Sequence, residues 1–290
     1  MGIAEVDDLS ARQVYDVLEL RNAVAAASGT SPLSDHVVAA VKGQAAGRHF
    51  LQTAAADLVG YAYLETAADP VAELLVGDGG DVARILDAVT RSAGSSLRVW
   101  TRGDNAPLNG VLPGLGFTLV RTLLQLRCPL GTQPIAAAVW PDGVVVRTFE
   151  VDSDEATWLA LNNAAFAGHP EQASWTLEDI RARENEPWFD PAGFFLAEVG
   201  GRVVGFHWTK VHEKAGGDLG EVYVIGVDPS MQGRGLGEAL LLHGLHHLRE
   251  DRGLSTALLY VEADNRGAIA LYERHGFTTW DSDRMFARAG

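Results

Sequence analysis

Residues 221–238 read EVYVIGVDPSMQGRGLGE and carry the clearest structural pattern in the chain. The first part of this stretch, Glu221–Val227, is rich in apolar and β-branched residues, which predicts a strand. A turn containing proline and glycine follows it. Apolar residues then recur at the spacing of a helix, which predicts a helix that begins near the end of the stretch. These apolar residues are Leu236, Leu240, Leu241, Leu245 and Leu248.

The turn between the strand and the helix has the features of an anion-binding cradle. Backbone N–H groups point at one spot there, and the helix N-terminus adds partial positive charge. Gly233 and Gly235 allow positive φ angles and close approach of an anion to the backbone, and Arg234 can add a charged contact. The turn is not a Walker loop, because no Lys-Ser/Thr pair follows it, and its spacing differs from the Rossmann fingerprint. For the glycine spacing alone, a tightly packed helix start is the alternative.

The full pattern over Val227–Gly237, Val-Asp-Pro followed by Gln-x-x-Gly-x-Gly, resembles the pyrophosphate loop of the GNAT superfamily of acyl-CoA transferases. The run Asn265–Phe277 is similar to the late helix and following strand of that superfamily. The resemblance implies acetyl-CoA as co-substrate. It assigns the binding of acetyl-CoA to Ile225, Gly226, Val227, Gln232, Gly233, Arg234, Gly235, Leu236, Gly237, Glu238, Asn265, Arg266, Gly267, Ala268, Ile269 and Ala270.

An internal repeat indicates two copies of one domain. His49–Gln52 aligns with Phe194–Ala197, and Leu58–Tyr63 aligns with Val203–Trp208, both at an offset of 145 residues. Each copy of this region reads as a strand, a turn and a second strand. A period near half the chain is far too long for a solenoid. The repeat therefore favours two domains of similar fold in one chain.

The predicted fold class is α/β (α+β), with two tandem GNAT domains. Each is expected to contain a mixed, mainly antiparallel sheet flanked by helices, as the resemblance implies. The predicted domains are residues 1–135 and 142–290. The segment Gly131–Gly143 contains two prolines and is the expected linker.

The first copy departs from the pattern at the chemically important positions. In the second copy Asn265 follows Glu221 by 44 residues. In the first copy the aligned Asn105 follows Glu73 by only 32, so the first copy lacks 12 residues. Its turn is reduced to Gly77–Asp81, and Leu112 stands where the second copy has Tyr272. We therefore expect the first domain to be non-catalytic and to bind CoA weakly or not at all.

Two side chains of the second copy are candidates for acid and base catalysis. A phenol with a pKa of about 10 is protonated at neutral pH, so Tyr272 can donate to a departing thiolate. An amine with a pKa of about 8 is largely protonated at pH 7, so a carboxylate such as Glu221 can serve as its base. The GNAT resemblance implies that backbone N–H groups of Ile225–Val227 bind the acetyl carbonyl. The alternatives are a core tyrosine and an ordinary strand glutamate, since Glu73 occupies the matching position in the first copy.

Longer strings in the second half resemble the mycothiol synthase family, which carries two GNAT domains. They are Asn162–Gln172, Trp188–Pro191, Gly205–His212 and Gly220–Val224. The resemblance implies acetylation of the cysteinyl amine of cysteinyl-glucosaminyl-inositol (desacetylmycothiol), a small-molecule thiol pseudodisaccharide, in the last step of mycothiol biosynthesis. It assigns substrate contacts to Asp35, Glu171, Lys210, Glu221 and Tyr260.

Composition limits the remaining possibilities. The net charge of −15 disfavours a nucleic-acid binder. Cys128 is the single cysteine, Met1–Ser10 has no basic cluster, and no apolar run is long enough to span a bilayer. We therefore expect a cytoplasmic, monomeric protein with no membrane partner. His243 and His247 stand four residues apart without the glutamate of a zincin motif, so no metal is predicted.

Two other functions stay open on the sequence alone. Another GNAT N-acetyltransferase, acting on a peptide N-terminus or an aminoglycoside, would share the same cradle. A non-catalytic acyl-CoA-binding regulator would bind CoA without turnover. The presence of both Glu221 and Tyr272 in the intact copy favours an enzyme.

Overall fold

A computed structural model describes residues 2–28, 31–94, 96–103, 106–131, 134–167, 175–213 and 217–288. The chain divides into two compact units. The first contains residues 1–124, 262–264 and 281–290, and the second contains residues 125–261 and 265–280. The predicted domains, residues 1–135 and 142–290, are contiguous, whereas each unit is assembled from separate stretches of the chain.

The first unit is built on a mixed sheet. Its strands are β1 (Gly2–Val6), β2 (Arg48–Ala54), β3 (Asp57–Glu65), β4 (Val71–Val76) and β5 (Leu97–Thr101). They lie in chain order, and neighbours are antiparallel except for β4 and β5, which are parallel. Beyond β5, the segment Arg284–Arg288 pairs antiparallel with Leu97–Thr101. The last residues of the sequence thus complete the sheet of the first unit.

Helices cover both faces of this sheet. They are α1 (Ala11–Ser28), α2 (Asp35–Val41), α3 (Val82–Ala93) and α4 (Ala106–Val111). Successive strand residues point to opposite faces. Phe50 therefore packs with α3 and α4, whereas its neighbour Leu51 packs with α1 and α2. Two apolar layers, one on each face, form the core of the unit.

The second unit has the same plan. Its strands are the end of β6 (Thr118–Pro129), β7 (Val144–Thr148), β8 (Phe194–Val199), β9 (Arg202–His212), β10 (Leu219–Val227), β11 (Thr256–Glu262) and the start of β12 (Thr278–Arg288). Strands β7 to β10 are mutually antiparallel, and β10 runs parallel to β11. Strand β6 lies beside β11.

The helices of the second unit are α5 (Glu155–Ala165), α6 (Leu177–Glu184), α7 (Leu236–His246) and α8 (Arg266–Arg274). Trp158 of α5 and Ile180 of α6 pack on Phe206 and Trp208 of β9. The opposite face carries α7, whose predicted apolar residues are buried, as is Leu248, which lies just beyond the end of the helix. Among the residues that the structure describes, no helix is long and apolar enough to cross a membrane.

Strand register locates the two glutamates that the sequence aligns. Glu73 in β4 lies opposite Tyr63 in β3, and Glu221 in β10 lies opposite Lys210 in β9. In each unit the parallel pairing with the next strand ends at this glutamate. The repeat, however, aligns Tyr63 with Trp208, whose partner in β10 is Val224. The two glutamates are therefore matched in sequence but not in strand register.

Arg102 holds two acidic side chains in the first unit. Its guanidinium lies 2.7 Å from Glu73 Oε1 and 2.6 Å from Asp283 Oδ2. The side chains of Glu73 and Asp283 are only 7% and 14% exposed. Since Asp283 belongs to the terminal strand, this cluster joins that strand to β4 of the same unit.

Replacing Arg102 with Met is expected to lower the free energy of unfolding by about 3 kcal/mol or more, because two nearly buried carboxylates lose their partner. Urea denaturation followed by circular dichroism measures the change. The control Arg12→Met removes the exposed pair with Asp16, which is worth less than about 0.5 kcal/mol. Equal effects of the two substitutions would contradict the assignment.

Candidate active site

The predicted cradle lies between the end of β10 and the start of α7. Gly233 and Gly235 have φ angles of 73° and 83°, in the left-handed region that favours glycine. An added Cβ at either position would meet nothing within 4 Å, so the backbone conformation, and not crowding, requires glycine. Gly235 is the N-cap residue of α7 and has no side chain to accept from the first helical turn. The first turn therefore opens onto free space.

The helix start is suited to a diphosphate group. The first N–H groups of a helix have no intrahelical partner, and none in residues 232–238 donates to a backbone carbonyl outside the helix. Arg234 is exposed and forms no ion pair within the described part of the chain. Unsatisfied amide donors, the helix dipole and a guanidinium converge on one exposed spot. This donor set fits the pyrophosphate of CoA.

Glu238, assigned to the cradle from the sequence, faces the end of α8. Its Oε1 lies 2.7 Å from His275 Nε2, and its Oε2 lies 4.0 Å from Arg274. These basic partners reduce the repulsion that the Glu238 carboxylate would exert on a phosphate bound at the first turn of α7. Asn265 begins α8 and accepts from the Ala268 N–H at 3.1 Å. The predicted segment Arg266–Ala270 therefore forms the first turn and a half of α8.

Strand β10 separates from β11 where the resemblance predicts a splay. Their pairing covers Gly220–Glu221 opposite Ala257–Leu258 and extends no further. A bulge between Val222 and Val224 interrupts the pairing with β9 on the other side. Residues 222–227, including the predicted Ile225–Val227, therefore lack a ladder partner on the β11 side. N–H groups on that side are available to an acyl oxygen.

Glu221 stands where the splay begins and is 7% exposed. Its Oε2 lies 2.6 Å from His212 Nε2, and its Oε1 has no hydrogen-bond partner among the described residues. Lys210 lies directly opposite on β9. The Lys210 ammonium is held over aromatic rings, 4.3 Å from the Trp188 centroid and 5.3 Å from the Tyr223 centroid. The site thus pairs a half-satisfied carboxylate with a neighbouring cation.

Tyr272 lies in the last turn of α8 and is 7% exposed. Burial raises its pKa to about 12, because the phenolate form is desolvated. Its hydroxyl has no hydrogen-bond partner among the described residues, and its ring packs 5.8 Å from that of Phe277. The phenol is a fully protonated, unengaged donor at neutral pH.

The remaining predicted contacts are spread over the chain. Tyr260 on β11 is 44% exposed, and its hydroxyl accepts from Gln125 Nε2 at 2.6 Å. Asp35 is exposed at the start of α2 in the first unit. Glu171 lies outside the described residues. The structure therefore brings Lys210 and Glu221 together in one register pair and leaves the other contacts as predictions.

The first unit has filled the corresponding positions with structural contacts. Asp81 caps α3 by accepting from the Arg84 N–H at 3.1 Å, so a carboxylate lies at the helix start. The Gln52 side chain bonds both the N–H and the carbonyl of Asp81. Leu112, in the position of Tyr272, is fully buried. These contacts favour the predicted loss of CoA binding and catalysis in this unit.

Sequence reasoning gave no role to His212, although the structure joins it to Glu221. The available signal is the two-residue spacing of Lys210 and His212, since alternate residues of a strand share one face. Trp188 was recognised only as part of a family string, and its ring supports the Lys210 ammonium. Within the described ranges, no group of three or more His, Cys, Asp or Glu residues could hold a metal.

Comparison with known proteins agrees with this geometry. The family model described as "Acetyltransferase (GNAT) family" matches residues 154–277, so the chain is an N-acetyltransferase. A mycothiol acetyltransferase of Thermobispora bispora is 49% identical, covering 94% of this chain and 95% of its own length. One from Streptomyces bingchenggensis is 48% identical, covering 97% and 94%. The chain belongs to the mycothiol acetyltransferase family.

Solved structures agree with the fold. A GCN5-related N-acetyltransferase from Sphaerobacter thermophilus superposes with a TM-score of 0.74 at 21% identity, covering 99% of this chain and 95% of its own. A tandem GNAT protein from the clavulanic acid biosynthesis pathway gives 0.71 at 16% identity, covering 99% and 98%. The predicted fold class, with tandem GNAT domains, is confirmed.

Tyr272 is expected to stay protonated until the pH approaches 12. Because the pKa is about 10 in an unfolded chain, this residue contributes stability below pH 10 that is lost as the pH rises towards 12. An ultraviolet titration of phenolate absorbance, compared between wild type and Tyr272→Phe, measures the ionisation. A difference that develops already at about pH 10 would contradict the assigned burial.

Proposed function

We propose that the enzyme transfers the acetyl group of acetyl-CoA to the cysteinyl amine of cysteinyl-glucosaminyl-inositol, the last step of mycothiol biosynthesis. The observation that carries the proposal is the free Oε1 of Glu221 at the point where β10 leaves β11. A base is needed there, because the amine must lose a proton before it attacks. Support for the acceptor comes from relatives named mycothiol acetyltransferase at 42–49% identity.

The cradle would hold the co-substrate by its diphosphate. The N–H groups after Gly233 and Gly235 and the Arg234 guanidinium supply the donors, and residues of α8 from Asn265 to Ala270 border the same ligand. Acetyl-CoA supplies the acetyl group as an activated thioester. The unpaired N–H groups of Ile225–Val227 would stabilise the charge that develops on the carbonyl oxygen.

Glu221 and Tyr272 would divide the proton transfers between them. Glu221 Oε1 accepts a proton from the acceptor ammonium, and Tyr272 donates its hydroxyl proton to the departing thiolate. The raised pKa of Tyr272 keeps the donor protonated. The apolar surroundings that raise it also disfavour a bare thiolate, which favours the transfer.

The remaining contacts follow the resemblance. Lys210 and Tyr260 can bond the hydroxyls of the pseudodisaccharide, and Asp35 and Glu171 would add carboxylate acceptors. The enzyme is expected to work in the cytoplasm as a monomer, without a metal, a nucleic acid or a membrane. The first unit is expected to be non-catalytic.

The decisive experiment measures CoA release with acetyl-CoA and cysteinyl-glucosaminyl-inositol. We expect stoichiometric CoA release and a gain of one acetyl group on the cysteinyl amine, detected by mass spectrometry. Peptide amines and aminoglycosides form the comparison panel. Preferential turnover of one of these would replace the acceptor, and acetyl-CoA binding without any turnover would favour a regulator.

Tyr272→Phe is expected to lower kcat by about 10²–10⁴-fold, because it removes a general acid. The affinity for acetyl-CoA, measured by calorimetry, is expected to stay within about 3-fold of wild type, since the substitution removes only one hydroxyl from a site bound mainly by backbone amides. Equal losses in kcat and affinity would instead make Tyr272 a binding residue.

Gly235→Asp is expected to abolish acetyl-CoA binding, because its carboxylate would stand where the diphosphate binds. Gly235→Asn is the matched control, since asparagine has the same size, tolerates positive φ and lacks the charge. Calorimetric affinity should fall at least about 10-fold further in the Asp variant than in the Asn variant. Similar affinities in the two variants would contradict the cradle assignment.

A further inference from the structure

We propose that His212 is the positioning residue for Glu221, donating its Nε2–H to Oε2 so that Oε1 is presented to the acceptor amine. The inference rests on the proposed function, because it takes Glu221 as the base. The 2.6 Å separation between the two atoms requires a proton between them. An ionised carboxylate can only accept, so the imidazole supplies that proton.

Strand register sets this geometry. Leu219 lies opposite His212, and Glu221 lies opposite Lys210, so His212 and Glu221 are diagonal neighbours on one face of the β9–β10 pair. The side chains of His212 and Glu221 are 22% and 9% exposed. A bond between two largely buried groups fixes the carboxylate plane, since little water competes for Oε2.

The glutamate of the first unit that the sequence aligns with Glu221 has different partners. Glu73 Oε1 accepts from Arg102 at 2.7 Å, and Oε2 accepts from the Ser34 N–H at 2.8 Å. Both oxygens of Glu73 are thus engaged, whereas Oε1 of Glu221 has no hydrogen-bond partner among the described residues. The His212 ring engages one oxygen of Glu221 and leaves the other for a substrate.

The other charged groups of this face do not replace His212. Lys210 faces Glu221 directly, but its ammonium is held over the Trp188 and Tyr223 rings and forms no ion pair in the described part of the chain. The guanidinium of Arg183 donates through Nε to the Tyr223 hydroxyl at 3.1 Å, so it is engaged with that tyrosine and not with Glu221. His212 is therefore the side chain that orients the carboxylate.

Loss of this donor has a defined chemical consequence. The nearly buried carboxylate loses a hydrogen bond that stabilises its charged form. The acid limb of the kcat/KM profile for the acceptor is then expected to move to higher pH. A histidine that only supported the fold would leave this limb unchanged.

Two substitutions separate positioning from structure. His212→Gln keeps an N–H donor at about the position of Nε2 without a titrating ring, and His212→Leu removes the donor. We expect kcat/KM for the acceptor to fall about 10- to 100-fold in the Leu variant and to stay within about 3-fold of wild type in the Gln variant. The acid limb should move only in the Leu variant, and the KM for acetyl-CoA should not change.

His246→Leu is the control, because it removes another histidine that bonds a glutamate, Glu250, at 3.0 Å. It should leave the rate and the acid limb unchanged. Equal losses in the Gln and Leu variants, or a Leu variant with wild-type rate and acid limb, would overturn the proposal.

Nuclear magnetic resonance tests the bond without turnover. In ¹⁵N-histidine-labelled protein, the His212 Nε2 is expected to be protonated, with a proton signal that disappears in Glu221→Leu, which has no acceptor. An unprotonated Nε2 in the wild type would overturn the positioning role. A wild-type enzyme that does not acetylate the acceptor would overturn the proposed function instead, and the spectrum would still decide the His212–Glu221 bond.

Discussion

The structure depends on a helix that begins without a side-chain cap. A capping residue stabilises a helix start by about 1 kcal/mol, and α7 forgoes it, because Gly235 has no side chain to accept from the first turn. Close packing holds the helix in place instead. An added Cβ on Gly205 would lie 2.9 Å from Leu240 Cδ1, so α7 packs directly on the β9 backbone. The backbone N–H groups at the start of α7 can therefore stay exposed without a capping side chain.

The comparison between the two units shows that few residues distinguish the candidate active site from the corresponding region of the first unit. In the first unit Asp81 supplies the missing cap, and Arg102 and Ser34 engage the glutamate of β4. Each change replaces an unsatisfied group with a satisfied one. The fold stays the same, so the difference lies in which hydrogen-bonding groups have no partner within the protein.

Much of the fold could be predicted from the sequence, because its signals are local. The β10 strand, the glycine turn and the apolar face of α7 follow from residue type and spacing, and the repeat gave the second sheet by analogy. The division of the chain into its two units could not be predicted from the sequence. Arg284–Arg288 pairs with β5, which lies far away in the sequence. Pairing between distant strands has no local signature.

The candidate site shows the same limit. Glu221, Tyr272 and the cradle have motif signals, and the motif resemblance found them. The bond between His212 and Glu221 depends on the register of two strands, and the contact of Glu238 with His275 depends on how two helices pack. Neither sequence spacing nor residue type encodes such contacts directly.

The terminal strand also constrains how this protein is made. Since Arg284–Arg288 completes the sheet of the first unit, the edge of β5 stays open while the ribosome synthesises nearly all of the remaining chain. An exposed strand edge is a template for pairing with other chains. The sheet of the first unit, although most of it is made early, therefore cannot be completed until Arg284–Arg288 has been synthesised. All of the second unit is translated before the sheet of the first unit can close.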